Sequence, residues 1–237
     1  MKLYLEDPYQ RAFDAEVVAS ADGWCALSRT AFYPGGGGQP SDRGRLTAGS
    51  ESLIVDDVRE DDAGEIWHRV GRDLAIGTAV NGEIDWPWRH ALMRAHALMH
   101  VVNTVARDRF GGVITGVQLG GERSRIDFKL AGFTRDQIPE LEERVNEVLM
   151  RGLPVKSSTI PEAEFLRRPE LVRTLEVKPP VIAGRVRVVE IVGFDAQACG
   201  GTHVHTMSEV GRARIVKFDN KGKDNKRFYW ELVPSPA

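Results

Sequence analysis

The chain has 237 residues, 42% hydrophobic and 28% charged, too apolar for a disordered protein and too charged for a membrane-embedded one. No run approaches the roughly 20 apolar residues that span a bilayer, and the opening Met1-Lys2-Leu3-Tyr4-Leu5-Glu6-Asp7-Pro8 turns acidic too early for a signal peptide, so a cytoplasmic protein with no membrane partner is expected. The net charge of −2 conceals a split: residues 1–88 carry 8 basic and 16 acidic side chains, residues 89–237 carry 24 and 18, an acidic module joined to a basic one suited to phosphate.

Residues 1–85 read as short strands, Lys2–Glu6, Phe13–Ala19, Trp24–Ser28, Leu53–Val58, Glu65–Val70 and Thr78–Ile84, separated by Gly and Asp clusters and lacking any sustained helical period. That pattern predicts a small closed β-barrel as a first domain over residues 1–88. Cys25, inside Trp24-Cys25-Ala26-Leu27, reads as a small buried hydrophobe. The texture changes at Asp85-Trp86-Pro87, where Asp85 can cap a helix and Pro87 suits its first turn. Nothing then breaks the helix before Gly111-Gly112. A second helix follows Thr134 and Gln137 at capping-box spacing, with Ile138, Leu141, Val145 and Leu149 on one face. Thr159 and Glu162 repeat that spacing ahead of a short third helix. Strand candidates are Arg125–Leu130, Arg185–Val192, Arg212–Phe218 and Arg227–Leu232, so the second domain, residues 89–237, reads as α+β.

Two short patterns carry chemistry. His96 and His100 sit four apart in the long helix, one turn apart on one face, so both imidazoles can reach a single ion. Far downstream, Cys199-Gly200-Gly201-Thr202-His203 places a sulfur and a nitrogen around glycines that let the backbone turn tightly. Three nitrogens and one sulfur suit tetrahedral Zn2+ better than magnesium or calcium, which prefer oxygen. Four protein ligands leave two readings open: a closed structural site, or a catalytic site in which one ligand yields. His205 reads as a supporting or surface residue, and His68 and His90 as structural.

At these residues the chain resembles a known family. Arg94-Ala95-His96-Ala97-Leu98-Met99-His100 and Cys199-Gly200-Gly201-Thr202-His203-Val204 are similar to the metal motifs of the alanyl-tRNA synthetase editing domain and its free-standing relatives, the AlaX proteins. The run from Thr30 to Gly44, with its Gly35-Gly36-Gly37-Gly38-Gln39-Pro40 core, resembles the glycine-rich motif of the longer AlaX class. Gln118, the Arg125–Phe128 strand, Val145-Asn146, Leu153-Pro154-Val155 and Val186-Arg187-Val188-Val189 also fit. Between the histidines this chain has Ala-Leu-Met where relatives often carry small polar residues, and His205 stands where the family commonly lacks histidine.

The resemblance implies a zinc-dependent hydrolase acting in trans on tRNA(Ala) mischarged with serine, or with glycine, while sparing Ala-tRNA(Ala). It implies His96, His100, Cys199 and His203 as the zinc ligands, with His96, His100 and Gln118 in the catalytic set. Thr30, Gly36, Gly37, Gly38, Gln39 and Gln118 would form the amino-acid pocket. A basic run, Arg212, Arg214, Lys217, Lys221, Lys223, Lys226 and Arg227, faces only Asp219 and Asp224 within residues 212–227 and would grip the acceptor stem. A non-catalytic tRNA-binding module stabilised by zinc, and a zinc hydrolase of another ester, are the competing readings; oligomeric state is left open.

Overall fold

The computed structural model describes residues 1–173, 179 and 181–233. The chain divides into two compact units, Met1–Leu92 and Met93–Ala237, and is α+β with antiparallel sheets throughout the named ladders.

The first unit begins with one helical turn, α1 (Leu3–Glu6), where a strand was expected. Leu3 and Tyr4 are buried, and the turn is fixed by Leu3 N–H donating to the Thr30 carbonyl at 2.8 Å. Seven strands follow: β1 (Ala12–Ala21), β2 (Trp24–Leu27), β3 (Gly44–Ala48), β4 (Glu51–Val55), β5 (Val58–Glu60), β6 (Ile66–Arg69) and β7 (Ala79–Ile84). They form one sheet in the order β4-β3-β7-β1-β2-β6-β5. Strand β1 shows the period that builds it: Phe13, Ala15 and Val17 are buried between exposed neighbours. The predicted Leu53–Val58 strand splits because Asp56 and Asp57 intervene. Asp56 turns to Arg69 at 2.7 Å, and the chain re-enters the sheet as β5. Leu53 and Val55 of one edge strand and Val58 of the other join the same core, so the sheet curls around its apolar face. Among the described residues no ladder pairs β4 with β5; the expected closed barrel is an open, curled sheet.

A buried ion pair ties this unit together. Arg89 and Asp42 are both fully buried. The Arg89 guanidinium donates to the Asp42 carboxylate at 2.8 and 2.9 Å, to the Pro8 carbonyl at 2.8 Å and to the Ala31 carbonyl at 2.6 Å. Asp42 also accepts the Tyr33 N–H at 2.5 Å. One arginine thereby fixes three chain segments that no ladder connects directly.

Helix α2 spans Trp86–Phe110. Asp85 caps it as expected, accepting the Trp88 N–H at 3.2 Å. Every residue from Ala95 to Ala106 is buried, the condition of a central rather than a surface helix. In the second unit β8 (Val113–Gln118), β9 (Arg123–Lys129), β14 (Arg212–Asn220) and β15 (Asn225–Val233) form a sheet in the order β14-β15-β9-β8. Its buried face carries Ile126, Phe128, Phe218, Phe228 and Trp230. Helix α3 (Ile138–Met150) follows a single tight turn opened by the expected capping box, Thr134 N–H to Gln137 Oε1 at 2.9 Å. Asn146 then clasps both backbone groups of Ala213 on β14, at 2.8 and 2.9 Å.

The remaining strands are β10 (Val155–Pro161), β11 (Val181–Ile182), β12 (Arg185–Ile191) and β13 (Asp195–Ala198), with β12 pairing all three others. Thr159 lies within β10 and is no cap: its hydroxyl accepts from Arg185 at 2.9 Å. The third helix is one turn, α4 (Glu162–Phe165), begun by Pro161.

Removing one partner of a buried ion pair strands the other charge, at a typical cost of about 3–5 kcal/mol. Arg89→Met is expected to lower the unfolding free energy by that order. Adding Asp42→Asn should recover part of the loss, because the remaining amide needs no counter-charge. Additive losses in a denaturant double-mutant cycle would mean the pair is uncoupled.

Candidate metal centre

Four side chains from distant parts of the second unit converge. His96 and His100 project from α2; Cys199 follows β13 directly, and His203 lies in the loop beyond it. Their ligand atoms all fall within 4.8 Å of one another. Cys199 Sγ is 3.5 Å from His96 Nε2 and 3.3 Å from His203 Nε2. The ring centroids lie 5.1 Å apart for His96 and His100, 4.2 Å for His96 and His203, and 4.4 Å for His100 and His203. The three histidines are buried, 4–8% exposed, and Cys199 is half-buried.

Electrostatics prepare these groups as neutral donors. Burial, reinforced by the nearby Arg187 guanidinium, pushes His96 down to about 3 and His100 and His203 well below the ordinary imidazole range. Burial raises the Cys199 thiol, opposed by Arg187. At neutral pH the cluster offers imidazole lone pairs rather than imidazolium protons. A metal ion fits this donor set, which joins borderline nitrogens to a soft sulfur.

Sequence reasoning passed over Arg187 except as part of a strand. It lies on β12, buried, and its Nη1 donates to the carbonyls of Cys199 at 3.0 Å and Gly201 at 2.8 Å. The Cys199 N–H returns to the Arg187 carbonyl at 3.0 Å. The glycine loop between the two downstream ligands is therefore braced from the neighbouring strand. The sign to read was a single arginine among valines in a strand whose residues 186–189 are all buried.

The other expected site residues are placed as follows. Thr30 is buried, its hydroxyl 2.8 Å from His68 Nε2 and accepting the Phe32 N–H at 3.1 Å. Both contacts lie inside the first unit. His68 is the structural residue expected, and burial holds it neutral, down to about 4. In the glycine-rich run, Gly36 and Gln39 exchange backbone hydrogen bonds at 3.0 Å each way around Gly37 and Gly38, at φ +57° and +87°. Two successive positive φ values make a tight hairpin turn that needs glycine. Gly36 and Gly37 are exposed, while Gln39 is buried. Gln118 is exposed at the end of β8, in register with Arg125. His205 is exposed, its N–H donating to Glu209.

Of the basic run, Arg212, Arg214, Lys217, Lys221 and Lys223 are exposed, and Lys221 lies 4.0 Å from Asp219. Arg214 pairs with Glu231 at 3.2 Å, Lys217 with Asp219 at 3.1 Å and Arg227 with Asp127 at 2.6 Å. Lys226 is the buried member of the run. Only 3% exposed, its ammonium donates to Asn220 Oδ1, the Gly222 carbonyl and the Lys223 carbonyl at 2.9–3.1 Å. It closes the β14–β15 turn.

The two units each match a family associated with tRNA charging. Residues 186–229, which include Cys199 and His203, match the threonyl and alanyl tRNA synthetase second additional domain, and residues 5–88 match the class II (A) tRNA synthetases. Similarity extends over whole proteins: 36% identity to the alanyl-tRNA editing protein AlaX-M of Saccharolobus solfataricus, covering 98% of this chain and 99% of that protein. The AlaX-M of Methanosarcina barkeri is 38% identical over 98% of both chains. An alanine–tRNA ligase of Korarchaeum cryptofilum is 40% identical over 90% of this chain, which spans 24% of that ligase. The chain belongs to the AlaX-M family of alanyl-tRNA editing proteins.

Titration with Zn2+ is expected to saturate at one ion per chain and release about one proton between pH 6 and 8. The buried thiol must ionise to ligate, while imidazoles already neutral in that range have no proton to give. Calorimetry in two buffers of different ionisation heat measures the number. Release of two or more protons would show that the histidines are charged before binding.

Proposed function

We propose that this chain hydrolyses the aminoacyl ester of mischarged tRNA(Ala), with serine as the preferred amino acid and glycine as a second substrate, and spares Ala-tRNA(Ala). Membership of the family makes it an aminoacyl-tRNA deacylase. The observation that carries the finer reading is the convergence of His96, His100, Cys199 and His203 in a chain matched end to end by free-standing editing proteins. Zinc is the metal that three imidazoles and one thiolate favour, and when bound it supplies Lewis-acid chemistry to the ester.

The chain's own residues set the rest. Cys199 serves as a ligand rather than a nucleophile, since its sulfur lies among three imidazoles and burial keeps its thiol from ionising unaided. Serine differs from alanine by one hydroxyl. A pocket built to hydrogen-bond that hydroxyl can discriminate by roughly 10⁴–10⁵, because the alanine ester leaves a buried polar group unpaired. Thr30, the Gly36–Gln39 turn and Gln118 are each candidates to supply that hydrogen bond. Arg212, Lys221 and Lys223 are exposed basic side chains that would meet phosphate. The expected division into residues 1–88 and 89–237 assigns the glycine-rich turn to one domain and the metal ligands and basic hairpin to the other.

The deciding assay is deacylation of Ser-tRNA(Ala) against Ala-tRNA(Ala) by zinc-loaded protein. Serine should be lost rapidly and alanine retained, with His96→Ala reduced to background. If the loaded protein binds tRNA yet leaves the serine ester intact, it is a binding module closed by a structural ion. Release of small amino-acid esters without tRNA preference would instead favour a hydrolase of another ester.

For the RNA contact, Arg212→Glu, Lys221→Glu and Lys223→Glu together should raise KM more than they lower kcat. The salt dependence of binding should become shallower by roughly 0.7–0.9 in log–log slope per lost phosphate contact. Lys226→Glu should instead destabilise the hairpin turn. An unchanged KM in the triple variant removes this segment from the RNA interface.

A further inference from the structure

The face of α2 that carries the two histidines continues as a polar stripe. His96, His100, Asn103, Thr104 and Arg107 follow at spacings of four, three, one and three, which lays them along one side of the helix. Facing them is a second period: Asp195, Gln197 and Cys199 alternate along β13 and its exit, a spacing that turns three side chains to one side of a strand. The two stripes meet residue by residue. Cys199 reaches His96. Gln197 Nε2 donates to the His100 carbonyl and to Thr104 Oγ1, each at 3.3 Å, and Gln197 Oε1 accepts from Asn103 at 3.3 Å. Asp195 faces Arg107 at 3.8 Å and is paired on its other side with Arg173. Gln197 Nε2 also donates to Asp195 Oδ2 at 2.7 Å, which fixes the orientation of the carboxamide.

We infer that Gln197 is a positioning residue for the metal centre. Its carboxamide locks α2 at His100 against β13, and so sets the distance between the His96–His100 pair and the Cys199–His203 pair. Apolar packing alone does not do this, because it is non-directional and tolerates sliding. A slip of one residue along a helix is 1.5 Å, whereas metal–ligand distances hold within about 0.2 Å. The directional contacts come from a side chain only two residues before Cys199, and one of them falls on the backbone of a ligand itself. Gln197 is 4% exposed, so solvent does not replace the bonds when they are lost. The inference rests on reading the four side chains as one metal centre, and is independent of which ester is cleaved.

The test is metal affinity and coordination, measured apart from activity. Gln197→Met keeps the length and bulk of the side chain and removes its hydrogen bonds. Zinc affinity, from competition with a chromophoric chelator, should fall by roughly 10- to 100-fold, the usual cost of removing a group that orients a ligand. The Co2+-loaded variant should lose the intensity of its visible absorption bands, a direct report on tetrahedral geometry. Thr104→Val, which removes one of the partners and keeps the shape, should shift both readouts in the same direction by less, and it stands in if Gln197→Met does not fold. Leu141→Ala on α3 serves as a destabilised control that should leave both unchanged. Wild-type affinity and spectrum in a folded Gln197→Met overturn the positioning role while leaving the metal centre standing. A loss in Leu141→Ala equal to that in Gln197→Met reduces Gln197 to a general stability residue. Failure of the wild-type protein to bind any ion removes the metal reading itself.

Discussion

Three imidazoles and a thiol gathered within 4.8 Å, away from water, impose the constraint to which the second unit conforms. Three imidazoles and a thiol packed this closely form a donor set that fits a single shared cation. Its demand for short, fixed distances then requires a rigid frame on each side. One side is a helix buried along its whole central stretch. The other is a hairpin, β12–β13, whose exit loop is held by Arg187 through two carbonyls. The same guanidinium discourages protonation of the histidines, so one residue shapes the loop and keeps its donors in the ligating state.

The first unit meets a similar demand with different means. Its sheet is open at both edges, and the segments leading into and out of the glycine-rich run lie outside the named ladders. Only scattered backbone bonds reach them, such as Asp42 N–H to the Tyr33 carbonyl at 2.9 Å, and a charge network adds to these. Arg89 collects the Pro8 and Ala31 carbonyls and the Asp42 carboxylate, while Asp42 takes the Tyr33 N–H. Such a pair repays the desolvation of its charges only when nearly every donor and lone pair is used, and here the guanidinium bonds are directed to fixed backbone positions. The exposed glycine turn rests on this buried support.

Legibility in the sequence followed the range of the interactions. Helix α2 was readable to within a residue, because its cap at Asp85, its unbroken interior and its Gly111-Gly112 stop are all local. The metal ligands were readable because side-chain spacing on a helix and across a glycine loop is also local, and their chemistry complementary. The edges were less so. Lys2–Glu6 alternates like a strand, yet two buried side chains and a bond to Thr30 fold it into a helical turn. Strand β3, with Leu46 as its one fully buried apolar residue, gave too short a pattern to detect. Thr159 matched a capping box by spacing and was claimed instead by sheet pairing with Arg187. Gln197 was invisible for the opposite reason: its partners on α2 lie more than ninety positions away, and only the meeting of two stripes reveals them.

Charge was the feature most easily over-read. Seven basic residues in sixteen suggest a strong field, but their surroundings reduce it. Lys226 is buried in the turn it closes, and Arg214, Lys217 and Arg227 each face a carboxylate across or along the sheet. A paired surface charge still contributes to long-range attraction only through the net sum of its neighbourhood. Lys221 also lies 4.0 Å from Asp219, while Arg212 stands at the start of β14 and Lys223 in the turn, at opposite ends of one strand. Nine residues of β-strand at about 3.3 Å each span roughly 30 Å, so these ends present two separated points of positive charge rather than a continuous patch. Two such points favour contact with phosphates well apart on a duplex, which positions a stem without reading its bases.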